Sequence, residues 1–356
     1  RALLILARAG LPAATLRALL EARPAPAAAL DAARHGAGLD LAPETRMALR
    51  QPDPAALAAD LAWCSAPGNR LLGWQDPDYP ALLRRSPNPP PLLFVAGDAG
   101  LLWHPQVAIV GSRRPSPGGR ERAHRFAEAF ARAGWAVTSG LAEGIDAAAH
   151  AGALAAGRTI AVVGTGPDRC YPAANAGLMA RITAQGAVVT EHPPGTEALA
   201  SHFPSRNRII AGLAAGTLVV EAAPKSGSLI TARLAAESGR EVMAIPGSPL
   251  EGRATGCNQL IRDGAVLVQT PDDVIELMTG FDGPPRSTFR ESTPAYVFAD
   301  DELVDPEPAD VTALLTSAPV SVDELIRQSG TSASAVQMAL LELDIAGRLT
   351  RHAGGR

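Results

Sequence analysis

The sequence predicts an α/β fold: an extended, doubly wound and mostly parallel sheet, with a small helical domain before it and a winged helix after it. Three observations carry this. Short apolar runs, three of them closed by a Thr or Glu, recur at 107–110, 135–138, 160–163, 187–190, 218–221, 242–245 and 265–268. Helical stretches separate them, at 119–133, 145–156, 175–184, 206–215 and 228–238. Strands that are apolar throughout, rather than at alternate residues, belong in a sheet with helices on both faces, and such sheets are parallel.

Taken in order, residues 1–65 are rich in alanine and leucine at helical spacing, as in Leu3, Leu4 and Leu6 and then Leu16, Leu19 and Leu20. Gly10-Leu11-Pro12 breaks the pattern, and Pro24, Pro26, Pro43, Pro52 and Pro54 punctuate the rest of this segment. This is a SAM-like bundle of short helices with a structural or interaction role. Residues 66–100 read as a loop-like connector ending in one short strand at 92–95. The sheet domain spans 66–281, and the proline-bearing, polar stretch 282–305 is a linker. Residues 306–356 give three helices and a hairpin, a winged-helix pattern. Its longer helix, 332–345, contains no lysine or arginine, so it is expected to touch protein rather than read duplex DNA.

The net charge is -4, which argues against a generally sticky nucleic-acid binder. The segment 100–181 nonetheless holds nine arginines against five acids, a local balance of +4. Of 32 basic residues 31 are arginine, and Lys225 is the one lysine, which marks a position suited to a compact ammonium. Cys64, Cys170 and Cys257 are far apart and lack metal-ligand spacing, so they read as reduced thiols. With no long apolar span and no clear signal peptide, a cytoplasmic protein without membrane insertion is expected.

In a doubly wound sheet, ligands bind beyond the carboxyl ends of the strands. The loops gathered there carry the chemistry. Gly111, Ser112, Arg113 and Arg114 come after the first parallel strand and combine a free backbone, a hydroxyl and two guanidinium forks, which suits phosphate, although these residues alone also fit an ordinary turn. Gly166 lies in a Gly-Thr-Gly turn that lacks the third glycine of a dinucleotide site. Just beyond it, Tyr171 offers a stacking face and Asn175 an amide. Arg206, Asn207 and Arg208 open one helix, and Lys225, Ser226 and Gly227 open the next; such helix starts favour anions. Asp146 and His150 stand one helical turn apart, which suits pairing or capping better than a catalytic triad. Several phosphate-sized sites along one edge suit a polyanion, and single-stranded DNA or RNA fits if Phe203 or Tyr171 stacks on a base. No metal cluster, Walker lysine loop or pair of catalytic carboxylates stands out, so neither metal nor cofactor is expected.

These residues resemble the DNA-processing protein A family, DprA, also called Smf. The likeness rests on Val107-Ala-Ile-Val-Gly-Ser-Arg113, Ser139-Gly-Leu-Ala-Glu-Gly-Ile-Asp146, Phe203-Pro-Ser-Arg-Asn-Arg-Ile-Ile210, Ser226-Gly-Ser-Leu-Ile-Thr-Ala232 and Gly256-Cys-Asn258. It implies an extended Rossmann fold that binds single-stranded DNA without sequence preference, protects it and loads the RecA recombinase in natural transformation, as a non-catalytic homodimer. By position it places Gly111, Ser112, Arg113, Arg206, Asn207, Arg208, Lys225 and Ser226 on the DNA-binding face. One departure is Thr190-Glu191-His192, where relatives often have Ser-Glu-aromatic. The competing class is a nucleotide-processing enzyme like the phosphoribohydrolases, but Ala223-Pro-Lys-Ser-Gly-Ser228 lacks a glutamate after it at the spacing those enzymes use.

Overall fold

The computed structural model describes residues 1–36 and 39–279, together with Val336 and Leu340. The chain divides into two compact units, Arg1–Ser287 and Thr288–Arg356. The expected linker and winged helix lie outside the described residues apart from Val336 and Leu340, both helical.

The first unit is built on one nine-stranded sheet. Its strands are β1 (Asn69–Gly73), β2 (Leu92–Gly97), β3 (Gln106–Val110), β4 (Ala136–Ser139), β5 (Thr159–Val162), β6 (Ala187–Thr190), β7 (Gly216–Val219), β8 (Glu241–Ala244) and β9 (Val266–Leu267). The order across the sheet is β1-β2-β6-β5-β4-β3-β7-β8-β9. From β6 to β9 all neighbours run parallel, while β1 and β2 are added antiparallel at one edge. The 107–110 run is buried throughout, and its side chains alternate between faces. Val107 and Ile109 join the helices Pro117–Arg132, Ile145–Ala156 and Pro271–Met278 on one side. Ala108 and Val110 join the helices His202–Leu213 and Gly227–Glu237 on the other. That two-residue alternation with apolar neighbours on both sides is what a double-wound sheet demands of its central strand.

β1 corrects the expectation of a loop across 66–100. Asn69-Arg-Leu-Leu-Gly73 is short and half polar, and it is held as a strand by β2, more than twenty positions away, with Leu71 opposite Phe94.

The five helices Ala2–Arg8, Ala13–Ala22, Pro26–Arg34, Pro43–Arg50 and Pro54–Ser65 agree with the helical reading of 1–65. Pro26, Pro43 and Pro54 each occupy a first helical turn, where a missing N–H costs nothing. The bundle does not close on itself alone. Leu6, Leu16, Leu20 and Leu49 share a core with Leu92 and Phe94 of β2, so the antiparallel edge is covered by these helices. Among the described residues no helix is long and apolar enough to cross a membrane.

Candidate nucleic-acid interface

The strand order reverses between β3 and β7, where the chain leaves β3 toward β4 on one side and later returns on the other. The loops beyond their carboxyl ends diverge there and open a cleft. Its volume is about 320 Å³, and Gly111, Arg113, Asp146, Phe203, Arg206 and Ser226 are among the residues that line it.

The loops are laced together by backbone. The Ser112 N–H donates to the Glu221 carbonyl (2.7 Å), and the Ile145 N–H donates to the Ser112 carbonyl (3.1 Å). The Arg114 N–H donates to Ser112 Oγ (3.0 Å). Gly111 is required by this closeness, since a Cβ there would lie 2.7 Å from the Ile145 side chain. The buried Glu221 carboxylate fixes the next turn: Ser116 donates to it through its N–H (2.9 Å) and hydroxyl (2.5 Å), and Arg122 donates from the helix beyond (3.1 Å). Ser112 therefore ties the loop together, and Arg113 and Arg114 are left exposed at its tip.

An aromatic face forms the cleft mouth. The Tyr171 and Phe203 rings stand 5.3 Å apart and tilted by 43°, and the Arg113 guanidinium lies over Phe203 at 5.8 Å. Tyr171 is 50% exposed. Arg113, Gly140, Glu143, Tyr171 and Phe203 border a second, smaller hollow of about 90 Å³. Across the cleft, Lys225 and Gly227 are exposed. Ser226 caps the helix Gly227–Glu237 by accepting the Ser228 N–H, and Asn207 donates to the Gly227 carbonyl (3.4 Å).

Four expected contacts are placed differently. Arg206 is only 5% exposed. Its guanidinium lies so close against Gly140 that a Cβ there would overlap Nη1, and it donates to the Val162 carbonyl (3.1 Å). Burial pushes its pKa down to about 10, against the opposing pull of Asp146. It lies beneath the cleft as an internal charge rather than a surface fork. Arg208 is paired with Glu191, both side chains nearly out of water. Gly166 is buried, and its N–H donates to the Thr196 carbonyl (2.8 Å). Asn175 donates to the Leu141 carbonyl (2.9 Å). That bond steadies a residue at φ 57°, a left-handed conformation that side chains other than Gly and Asn seldom adopt.

Asp146 and His150 are structural but not partners of each other. Asp146 Oδ2 accepts the Gly140 N–H (3.1 Å) and the Ala142 N–H (3.3 Å), while burial raises the carboxyl pKa. The Thr159 hydroxyl gives its proton to the Val137 carbonyl, so His150 Nδ1 is the donor in its 2.7 Å contact with Thr159. Burial holds this histidine neutral, with a pKa down to about 3.

In the sequence Glu221 reads only as a strand end, and no motif there points to the stacked pair His192 and His202 (3.9 Å, 19°). At position 192 the imidazole stacks on His202.

The chain matches the family model described as DNA recombination-mediator protein A over residues 70–279, and the model of the DprA winged helix domain over 297–355. Protein Smf of Escherichia coli is 38% identical over 307 residues, 84% of this chain and 80% of that protein. The DNA processing protein DprA of Streptococcus pneumoniae is 47% identical over 201 residues, 56% of this chain and 71% of that one. Among solved structures, DprA from Streptococcus pneumoniae superposes with a TM-score of 0.69 at 39% identity, covering 76% of this chain and 95% of that one. DNA processing protein A from Helicobacter pylori, described for its single-stranded DNA binding mode, gives 0.53 at 29% identity, covering 56% and 92%.

Proposed function

The chain belongs to the DNA recombination-mediator protein A family, whose members are named DprA or Smf, and from that premise we propose that its switch-point cleft binds single-stranded DNA without sequence preference. The observation that carries this is the Arg113–Phe203–Tyr171 face at the cleft mouth. Bases of any identity stack on such a face, and the backbone beside them meets exposed cations at Arg113, Arg114 and Lys225. Gly111, Asn207, Ser226 and Gly227 line the groove beside those charges, and Ser112 holds the loop that bears Arg113 and Arg114. The single-stranded DNA binding of the Helicobacter pylori relative supports the same ligand here.

The protein acts without catalysis, protecting incoming strands and passing them to the RecA recombinase during natural transformation. In support, Asp146, the buried carboxylate that lines the cleft, accepts two backbone N–H groups, and Glu221, outside that lining, is held by Ser116 and Arg122. The working form is a homodimer in the cytoplasm.

Fluorescence anisotropy with an oligo-dT strand tests the binding. RecA-dependent ATP hydrolysis on that strand, with and without this protein, tests the loading. Submicromolar binding and faster onset of hydrolysis are expected; turnover of a nucleoside monophosphate by the protein alone would favour the enzyme instead.

A further inference from the structure

The 193–196 loop, between β6 and the helix that carries Phe203, is held from two sides. From the N-terminal helices, Arg8 forms a two-bond fork with the fully buried Asp60 (2.5 and 2.7 Å) and donates a third bond to the Pro194 carbonyl (2.8 Å). Arg8 and Pro194 are 186 positions apart. From the sheet domain, the Gly195 N–H donates to Asp168 (2.7 Å) and the Gly166 N–H donates to the Thr196 carbonyl (2.8 Å).

Five residues, 197–201, join this loop to the start of the helix that carries Phe203. His192, beside the loop, stacks on His202, which also contacts the Gly164 carbonyl through Nδ1 (3.0 Å). Phe203 is the next residue, bearing Arg113 on its ring. Arg8 itself touches neither the cleft nor its mouth. A guanidinium is the one side chain that can hold a carboxylate in a fork and still reach a carbonyl.

We infer that Arg8 is a positioning residue for the DNA face: with Asp60 it clamps the 193–196 loop, and the loop sets the helix start that presents Phe203. The inference rests on the single-stranded DNA reading of the cleft. It gives the N-terminal helices a task in binding without any contact to the strand.

The test uses the full chain and oligo-dT anisotropy, with thermal melting of each variant. Arg8→Lys keeps a charge beside Asp60 but cannot make all three bonds; it should stay folded and bind about fivefold more weakly. Asp168→Ala frees the same loop at Gly195 while leaving the Arg8–Asp60 fork in place, and should weaken binding in the same direction. The salt dependence should not change in either, because neither residue meets a phosphate. Combined with Phe203→Ala, Arg8→Lys should add no further loss, since both act through one ring. Wild-type affinity in both loop variants, or full additivity with Phe203→Ala, would overturn the inference. If Phe203→Ala alone binds like wild type, the DNA-face reading itself falls, and this inference with it.

Discussion

The Arg113 guanidinium stands 5.8 Å from the centre of the Phe203 ring, joining a residue of the loop after β3 to the first turn of a helix 90 positions later. A cation on one part of an aromatic face leaves the rest open to a base, and Tyr171 extends that face. Phe203→Ala should therefore cost about 1–3 kcal/mol of binding, roughly five- to hundredfold in Kd, with little change in salt dependence. Anisotropy titrations with oligo-dT at two salt concentrations check this.

Arg206 is predicted to matter for stability before it matters for DNA. It is a buried guanidinium that faces the buried Asp146 charge. Arg206→Ala strands that carboxylate and should cost about 3–5 kcal/mol in urea unfolding. A variant with unchanged stability and a reduced salt slope would make Arg206 a phosphate contact after all.

Gly140→Ala probes the same packing from the other side. A Cβ there would overlap Arg206 Nη1, so the guanidinium or the loop must shift. A loss of about 1–3 kcal/mol is expected in the same unfolding measurement.

His150 makes stability depend on pH. Its folded pKa is lowered from 6.5 to about 3, so between those values the unfolded chain binds the proton and the folded chain does not. Stability is full above about pH 6.5 and falls with acidification, by about 2 kcal/mol at pH 5 from this residue alone. Asp146, whose pKa is raised, works in the opposite direction. Comparing wild type with His150→Asn from pH 7 to pH 5 isolates the histidine: the variant should show the flatter dependence.

Much of this is legible in the sequence, because the sheet announces itself in runs such as Val107-Ala-Ile-Val110 that are apolar on both faces. The loops at the strand ends, and Phe203 and Tyr171 as stacking residues, come from position alone. Which arginine faces water does not. Arg206 lies three and four residues before the buried Ile209 and Ile210, so the helical period already puts it on the inner stripe. The motif Arg-Asn-Arg draws the eye to charge instead. Arg208 is hidden by Glu191, whose approach depends on the whole sheet. β1 escapes notice for a similar reason: its strand character comes from pairing with β2, and its five residues hold too little apolar pattern to show it.

The most direct test of the central claim is the salt dependence of oligo-dT binding for the wild type, Arg113→Glu and Lys225→Glu. For a single strand each phosphate contact contributes about 0.7 to the slope of log K against log salt. Each variant should bind more weakly and lose about that much slope or more, while melting like the wild type. Unchanged affinity and slope in both variants would contradict the assignment of this cleft to single-stranded DNA.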